Sequence, residues 1–154
     1  MGTTTMRKLT KLTQWAATAA TLVGVAVVAP VVTAAPASAA GYGCAGNLVY
    51  TKSVYANRNG YTNKIGTVQS YYDGTYNCSV FVKSAYVGTP TQMNFSIYKE
   101  DDGTFDDDTG AFSQYAGPVR IKAPGSCVSE MLVMDNPSGT QIFFGQAAPP
   151  HNCG

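Results

Sequence analysis

Four cysteines constrain this chain more than any other feature. Cys44, Cys78, Cys127 and Cys153 all lie beyond an N-terminal segment with the marks of an export signal. An even number of cysteines in an exported chain implies oxidation to disulfides. Four cysteines allow three connectivities. Cys44–Cys78 with Cys127–Cys153 is the expected set, because each bond then staples one half and one terminus of the folded part. Two such loops contribute roughly 3–4 kcal/mol each in the chain-entropy view, a large share of the stability of a small domain. Zinc is the other use for four thiols. It is disfavoured by the absence of a Cys-x-x-Cys pair and by a single histidine, His151.

The export signal has three parts. Arg7, Lys8 and Lys11 supply positive charge, Trp15–Ala35 is almost wholly apolar or small, and Ala37-Ser38-Ala39 gives the small-x-small pattern of a signal peptidase site. The apolar run is long enough to span a bilayer, so a retained anchor is the rival reading. Pro30, Pro36 and the Ala/Ser-rich end favour cleavage. Arg7-Lys8 is not a twin arginine, and Gly41-Tyr42-Gly43 before Cys44 is not the run that precedes a lipid-anchored cysteine. The expected organisation is a signal peptide over 1–39 and one all-β domain over 40–154, secreted and without a stable membrane anchor. The secreted part keeps seven basic and nine acidic side chains, a net charge of −2. That balance supplies neither the clustered basic face that nucleic acid requires nor a polybasic patch for anionic lipid.

The mature sequence reads as short strands separated by turn residues. Asn47–Lys52 is β-prone, and Lys64–Tyr72 and Thr75–Lys83 flank the hairpin signal Asp73-Gly74. In the second of these, Tyr76, Cys78, Val80 and Val82 alternate with Asn77, Ser79, Phe81 and Lys83, as in a half-buried strand. Met93, Phe95 and Ile97 form another alternating face. Asp101-Asp102-Gly103 is a turn, Gly117-Pro118 interrupts Phe112–Lys122, Cys127–Met134 is a strand, Asn136-Pro137-Ser138-Gly139 fits a type I turn, and Gln141–Phe144 returns. No helical spacing is sustained over ten residues. Seven or eight such strands predict an antiparallel β-sandwich or Greek-key barrel.

No arrangement of residue types points to catalysis, a cofactor or a metal. Gly41-Tyr42-Gly43-Cys44-Ala45-Gly46 matches G-x-G-x-x-G in form only, since that motif works between a strand and a helix. Glu100, Asp101, Asp102, Asp106, Asp107 and Asp108 make an acidic stretch, expected as a solvated loop. Calcium is its alternative use, although EF-hand spacing is absent. A glycosidase pair would need a raised pKa in a cleft, which an exposed loop does not supply. His151 is expected in a Pro-rich tail, and no G-x-S-x-G elbow exists. All ten tyrosines lie in the mature part, and Tyr71 and Tyr72 beside the hairpin tip are the expected exposed pair. Tyrosine suits both binding surfaces and strand packing. Asn77-Cys78-Ser79 and Asn94-Phe95-Ser96 match the glycosylation sequon but fall inside strands.

Tyr76-Asn77-Cys78-Ser79-Val80, Gly88-Thr89-Pro90, Tyr115-Ala116-Gly117-Pro118-Val119, Ala123-Pro124-Gly125-Ser126-Cys127 and the terminal Asn152-Cys153-Gly154 stand in a spacing that resembles the spore-associated protein A family of filamentous actinobacteria. The resemblance implies a small secreted protein found with the spore surface, without catalytic residues. The expectation is therefore a non-enzymatic extracellular protein whose partner is an unknown protein or a component of the cell surface or spore matrix. A secreted inhibitor or binding module, acting through a rigid loop such as Glu100–Gly110 or a Tyr-rich face, is the alternative.

Overall fold

A computed structural model describes residues 41–154; the signal peptide expected over residues 1–39 lies outside the described residues. A short 3-10 turn at Gly41–Gly43 leads into eight strands: β1 Asn47–Tyr55, β2 Lys64–Tyr72, β3 Tyr76–Lys83, β4 Thr91–Lys99, β5 Phe105–Phe112, β6 Tyr115–Lys122, β7 Val128–Asp135 and β8 Gln141–His151. They form two antiparallel four-stranded sheets, β1-β2-β3-β6 and β5-β4-β7-β8. Phe81, Phe95, Ile65, Ile97, Leu132, Met134 and Ile142 are fully buried in the main core, and the Phe81 and Phe95 rings lie 6.2 Å apart. Cys44 is bonded to Cys78 and Cys127 to Cys153.

The central strand β3 departs from the half-buried expectation. Its apolar-looking face carries Cys78 and Val80, which pack with Cys44 and Tyr71 in a small separate cluster, with Val82 against it. Its mixed face (Asn77, Ser79, Phe81, Lys83) is the one turned into the sandwich, and all four are buried. The N-terminal segment, tied down through Cys44, covers what would otherwise be the solvent face. Each inward polar group is then matched, as burial demands. Lys83 donates from its ammonium to the carbonyls of Thr89 (2.8 Å) and Phe112 (2.9 Å) and to the Thr91 hydroxyl (2.9 Å). Asn77 accepts from Asn152 and donates to the Ala123 carbonyl.

Two turns show how local chemistry sets the strands. After β2, Asp73 accepts from the N–H groups of Thr75 (2.9 Å) and Tyr76 (2.7 Å), and Gly74 takes φ 96°. The loop is thus centred on Gly74-Thr75, one residue beyond the Asp73-Gly74 pair. After β7, the Asn136 carboxamide accepts from the N–H groups of Ser138 and Thr140, closing the Asn-Pro-Ser-Gly turn. In β6, Pro118 lies where the β3–β6 ladder shifts register between Ser79 and Phe81, a place for a residue without an N–H. Gly66 on β2 approaches its neighbour closely, since a Cβ there would stand 2.3 Å from the Phe81 ring.

Candidate functional site

Among the described residues, the sandwich interior holds an ionisable cluster centred on Glu130. In β7 the residues Val128, Glu130, Leu132 and Met134 share the inward face, so a carboxylate interrupts an apolar row. Glu130 is 0% exposed. Across the sandwich, Ser70 on β2 and Ser79 on β3 are register partners. Both donate to Glu130 Oε1, at 3.0 Å and 2.6 Å, and their own oxygens are 3.0 Å apart. His151, at the end of β8, brings Nε2 to 3.7 Å from Oε1. Its Nδ1 is 3.0 Å from the Pro149 carbonyl, which assigns the Nδ1 proton and leaves Nε2 facing the carboxyl. Tyr50 of β1 stacks on the imidazole with centroids 3.9 Å apart and planes at 16°.

Desolvation pushes the Glu130 carboxyl above its ordinary value, against the pull of the His151 charge and of the Ser79 and Ser70 hydroxyls. Burial also raises the Tyr50 phenol, with the Glu130 charge adding to it. Glu130 Oε2 and His151 Nε2 have no hydrogen-bond partner. The cluster has the residue types of a hydrolase triad but not its geometry. The serines donate to the carboxyl and not to the imidazole, and all three groups are buried. The surface depressions at Val49–Tyr72, Tyr98–Met131 and Asn94–Val133 do not include them. What the arrangement does is tie sheet to sheet and fix the C-terminal strand, two residues before the Cys127–Cys153 bond.

His151 is therefore not in a free tail. The strand β8 runs through Ala-Pro-Pro to His151, where His151 pairs with Val128. Pro149 and Pro150 are tolerated because β8 is a sheet edge and its ladder shifts register there. Two sequence signals point to this placement: an acidic residue on the apolar face of a strand, and a cysteine two residues beyond His151 that must reach the start of β7.

The acidic stretch is also not one loop. Residues 100–104 form the turn, and Asp106, Asp107 and Asp108 belong to β5. Asp106 accepts the Arg120 N–H at 2.7 Å and Asp108 the Gly117 N–H at 2.8 Å. These carboxylates serve the edge of β6 that β3 leaves open, and so join the two sheets along that flank. Asp107 points the other way, accepting from Thr109 at 3.0 Å and from Asn94 at 3.4 Å. Asp101 pairs with the Ser126 hydroxyl, Glu100 with Ser129, and Asp102 with Lys99 at 2.9 Å. Among the described residues no group of three metal-ligating side chains converges.

The remaining candidates are placed as follows. Gly41–Gly46 forms a tight turn leading to a strand, with Cys44 buried in its disulfide. Tyr71 is buried, with its hydroxyl on Gln69, and Tyr72 is half-buried, with its hydroxyl on the Gly74 carbonyl, so the hairpin pair is not the exposed one. The open large apolar side chains are Leu48, Val49, Tyr55, Val87, Phe105, Phe144 and Tyr42. No helix among the described residues is long and apolar enough to cross a membrane.

No family model matches the chain, and no solved structure does. One curated protein matches: the spore-associated protein A of Streptomyces coelicolor is 36% identical over 73 residues, which is 46% of this chain and 47% of that protein. The chain thus spans about half the length of this curated relative. Over that shared stretch the protein is related to spore-associated protein A.

Proposed function

We propose that this is a secreted, spore- or cell-surface-associated protein that acts by lasting contact and not by turnover. The sealed state of the one Ser–Glu–His constellation carries this reading. Catalysis needs an acid, base or nucleophile in reach of substrate, and these three groups face each other inside the sandwich. The cysteines are disulfide-bonded, so the described residues hold no thiolate. Asp106 and Asp108 are engaged by backbone N–H groups. The match to spore-associated protein A supports the location, and stapled ends suit a protein that must persist outside the cell. The long loop that an inhibitor would present is reduced to residues 100–104 by the entry of Phe105–Asp108 into β5.

The test is fractionation of a sporulating culture with an antibody to the mature protein. The protein should be processed near Ala39 and recovered with spores or cell wall. Deletion of its gene should change spore surface properties without removing a hydrolase or transferase activity. Retention in the cytoplasm, or a turnover abolished by His151→Ala in a protein that still folds, would overturn the proposal.

A further inference from the structure

The outer face of the second sheet sets aromatic and polar side chains in register. Along β4 the outward residues are Gln92, Asn94, Ser96 and Tyr98, and their register partners on β5 are Ala111, Thr109, Asp107 and Phe105. The partners on β7 are Val133, Met131 and Ser129. At one end Tyr98 and Phe105 stack with centroids 5.4 Å apart and planes at 25°, and Phe105 is 57% exposed. Because the β7 neighbour of Tyr98 is the small Ser129, a depression of about 380 Å³ opens there, lined also by Met131 and Glu100. Further along, Asn94, Thr109, Val133 and Asp135 line a second hollow of about 130 Å³.

From the Tyr98 row to the Asn94 row is four residues, about 13 Å at the rise of an antiparallel strand. The face is therefore a track: aromatic at Tyr98 and Phe105, then the exposed Asp107 carboxylate, then the Asn94 amide and Thr109 hydroxyl, with Ser96 buried between them. A sugar ring has the matching chemistry. Its C–H face packs on an aromatic ring, and its rim of hydroxyls needs fixed polar partners. An extended polymer fits a track better than a compact ligand does.

Charge narrows the choice. Glu100, Asp107 and Asp135 lie on this face, and the one cation that β4, β5 and β7 bring to it, Lys99, is bonded to Asp102. Arg58 stands over Phe144, the register partner of Val133, so the Asn94–Asp135 end of the face carries a cation; at the Tyr98–Asp107 end, carboxylates without a free cation repel phosphate- or uronate-rich polymers and complement protonated amines. We propose that the outer face of β5-β4-β7 binds a linear amino-sugar glycan carrying free amines, with Tyr98 and Phe105 stacking on its rings and Asp107 facing its charge. This rests on the surface-association reading and names the class of partner.

The probe is partially deacetylated chitin oligosaccharide, titrated into the mature protein calorimetrically. Binding is expected. Tyr98→Ala should weaken it about tenfold, which corresponds to 1.4 kcal/mol. Phe105→Ala, an exposed substitution that leaves the core intact, should weaken it in the same direction, and Asp107→Asn should reduce its salt dependence. No binding, binding undiminished in both aromatic variants, or tighter binding of an anionic polymer would each overturn it. If the aromatic variants stay on spores and the wild type ignores the glycan, this inference falls and the surface-association reading stands. If the wild type binds the glycan but never reaches a surface, the reverse holds.

Discussion

Glu130 and the Asp106/Asp108 pair use the same functional group in opposite ways. Glu130 is wholly enclosed, receives two hydroxyls and faces an imidazole. Asp106 and Asp108 sit at a sheet edge and accept backbone N–H groups that the β3–β6 ladder leaves free. In the interior, the carboxyl must be supplied with partners because water is excluded. At the flank, the carboxylates are themselves the partners, and water can replace them. Removing a group should therefore cost much in the first region and little in the second.

The largest expected effect is Glu130→Ala. It strands the Ser70 and Ser79 hydroxyls beside a new cavity, and truncating a fully buried, hydrogen-bonded side chain to Ala costs about 2–5 kcal/mol. Urea unfolding should show it as a lower midpoint. Ser79→Ala removes the 2.6 Å donor and should cost about 1–3 kcal/mol, since an acceptor is left buried and under-satisfied. Asp108→Ala should cost about 1 kcal/mol, the net worth of an ordinary hydrogen bond, and Asp108→Asn less, because the amide oxygen still accepts the Gly117 N–H. Lys99→Ala, which breaks an exposed pair, should leave the melting temperature unchanged. If Asp108→Ala proved as costly as Glu130→Ala, the contrast between interior and flank would be lost.

The strands were legible where turn residues and alternation agreed. Lys64–Tyr72, the turn before Gln141 and the alternation Met93, Phe95, Ile97 all reappear in the structure. Alternation misleads in β3, because it reports polarity and not which layer will cover each face. The covering of Cys78 and Val80 comes from a segment outside any strand pattern, brought there by Cys44. The acidic stretch misled for a related reason. Charge implied solvent, but an edge strand can carry carboxylates if a neighbouring edge offers N–H groups. His151 was hidden by two prolines, which read as tail and proved compatible with an edge strand.

The Glu130 cluster is closed to solvent. The most direct measurement is unfolding free energy against pH for the wild type and Glu130→Gln, between pH 5 and pH 8. A carboxyl raised by burial binds its proton more tightly folded than unfolded, so its contribution is fullest below the unfolded value of 4.5 and is lost as pH rises through the folded one. The wild type should lose stability relative to Glu130→Gln across this range, because the amide keeps an oxygen for Ser70 and Ser79 and has no charge to bury. Parallel pH curves for the two proteins would mean that Glu130 ionises freely in contact with water, and would contradict the claim.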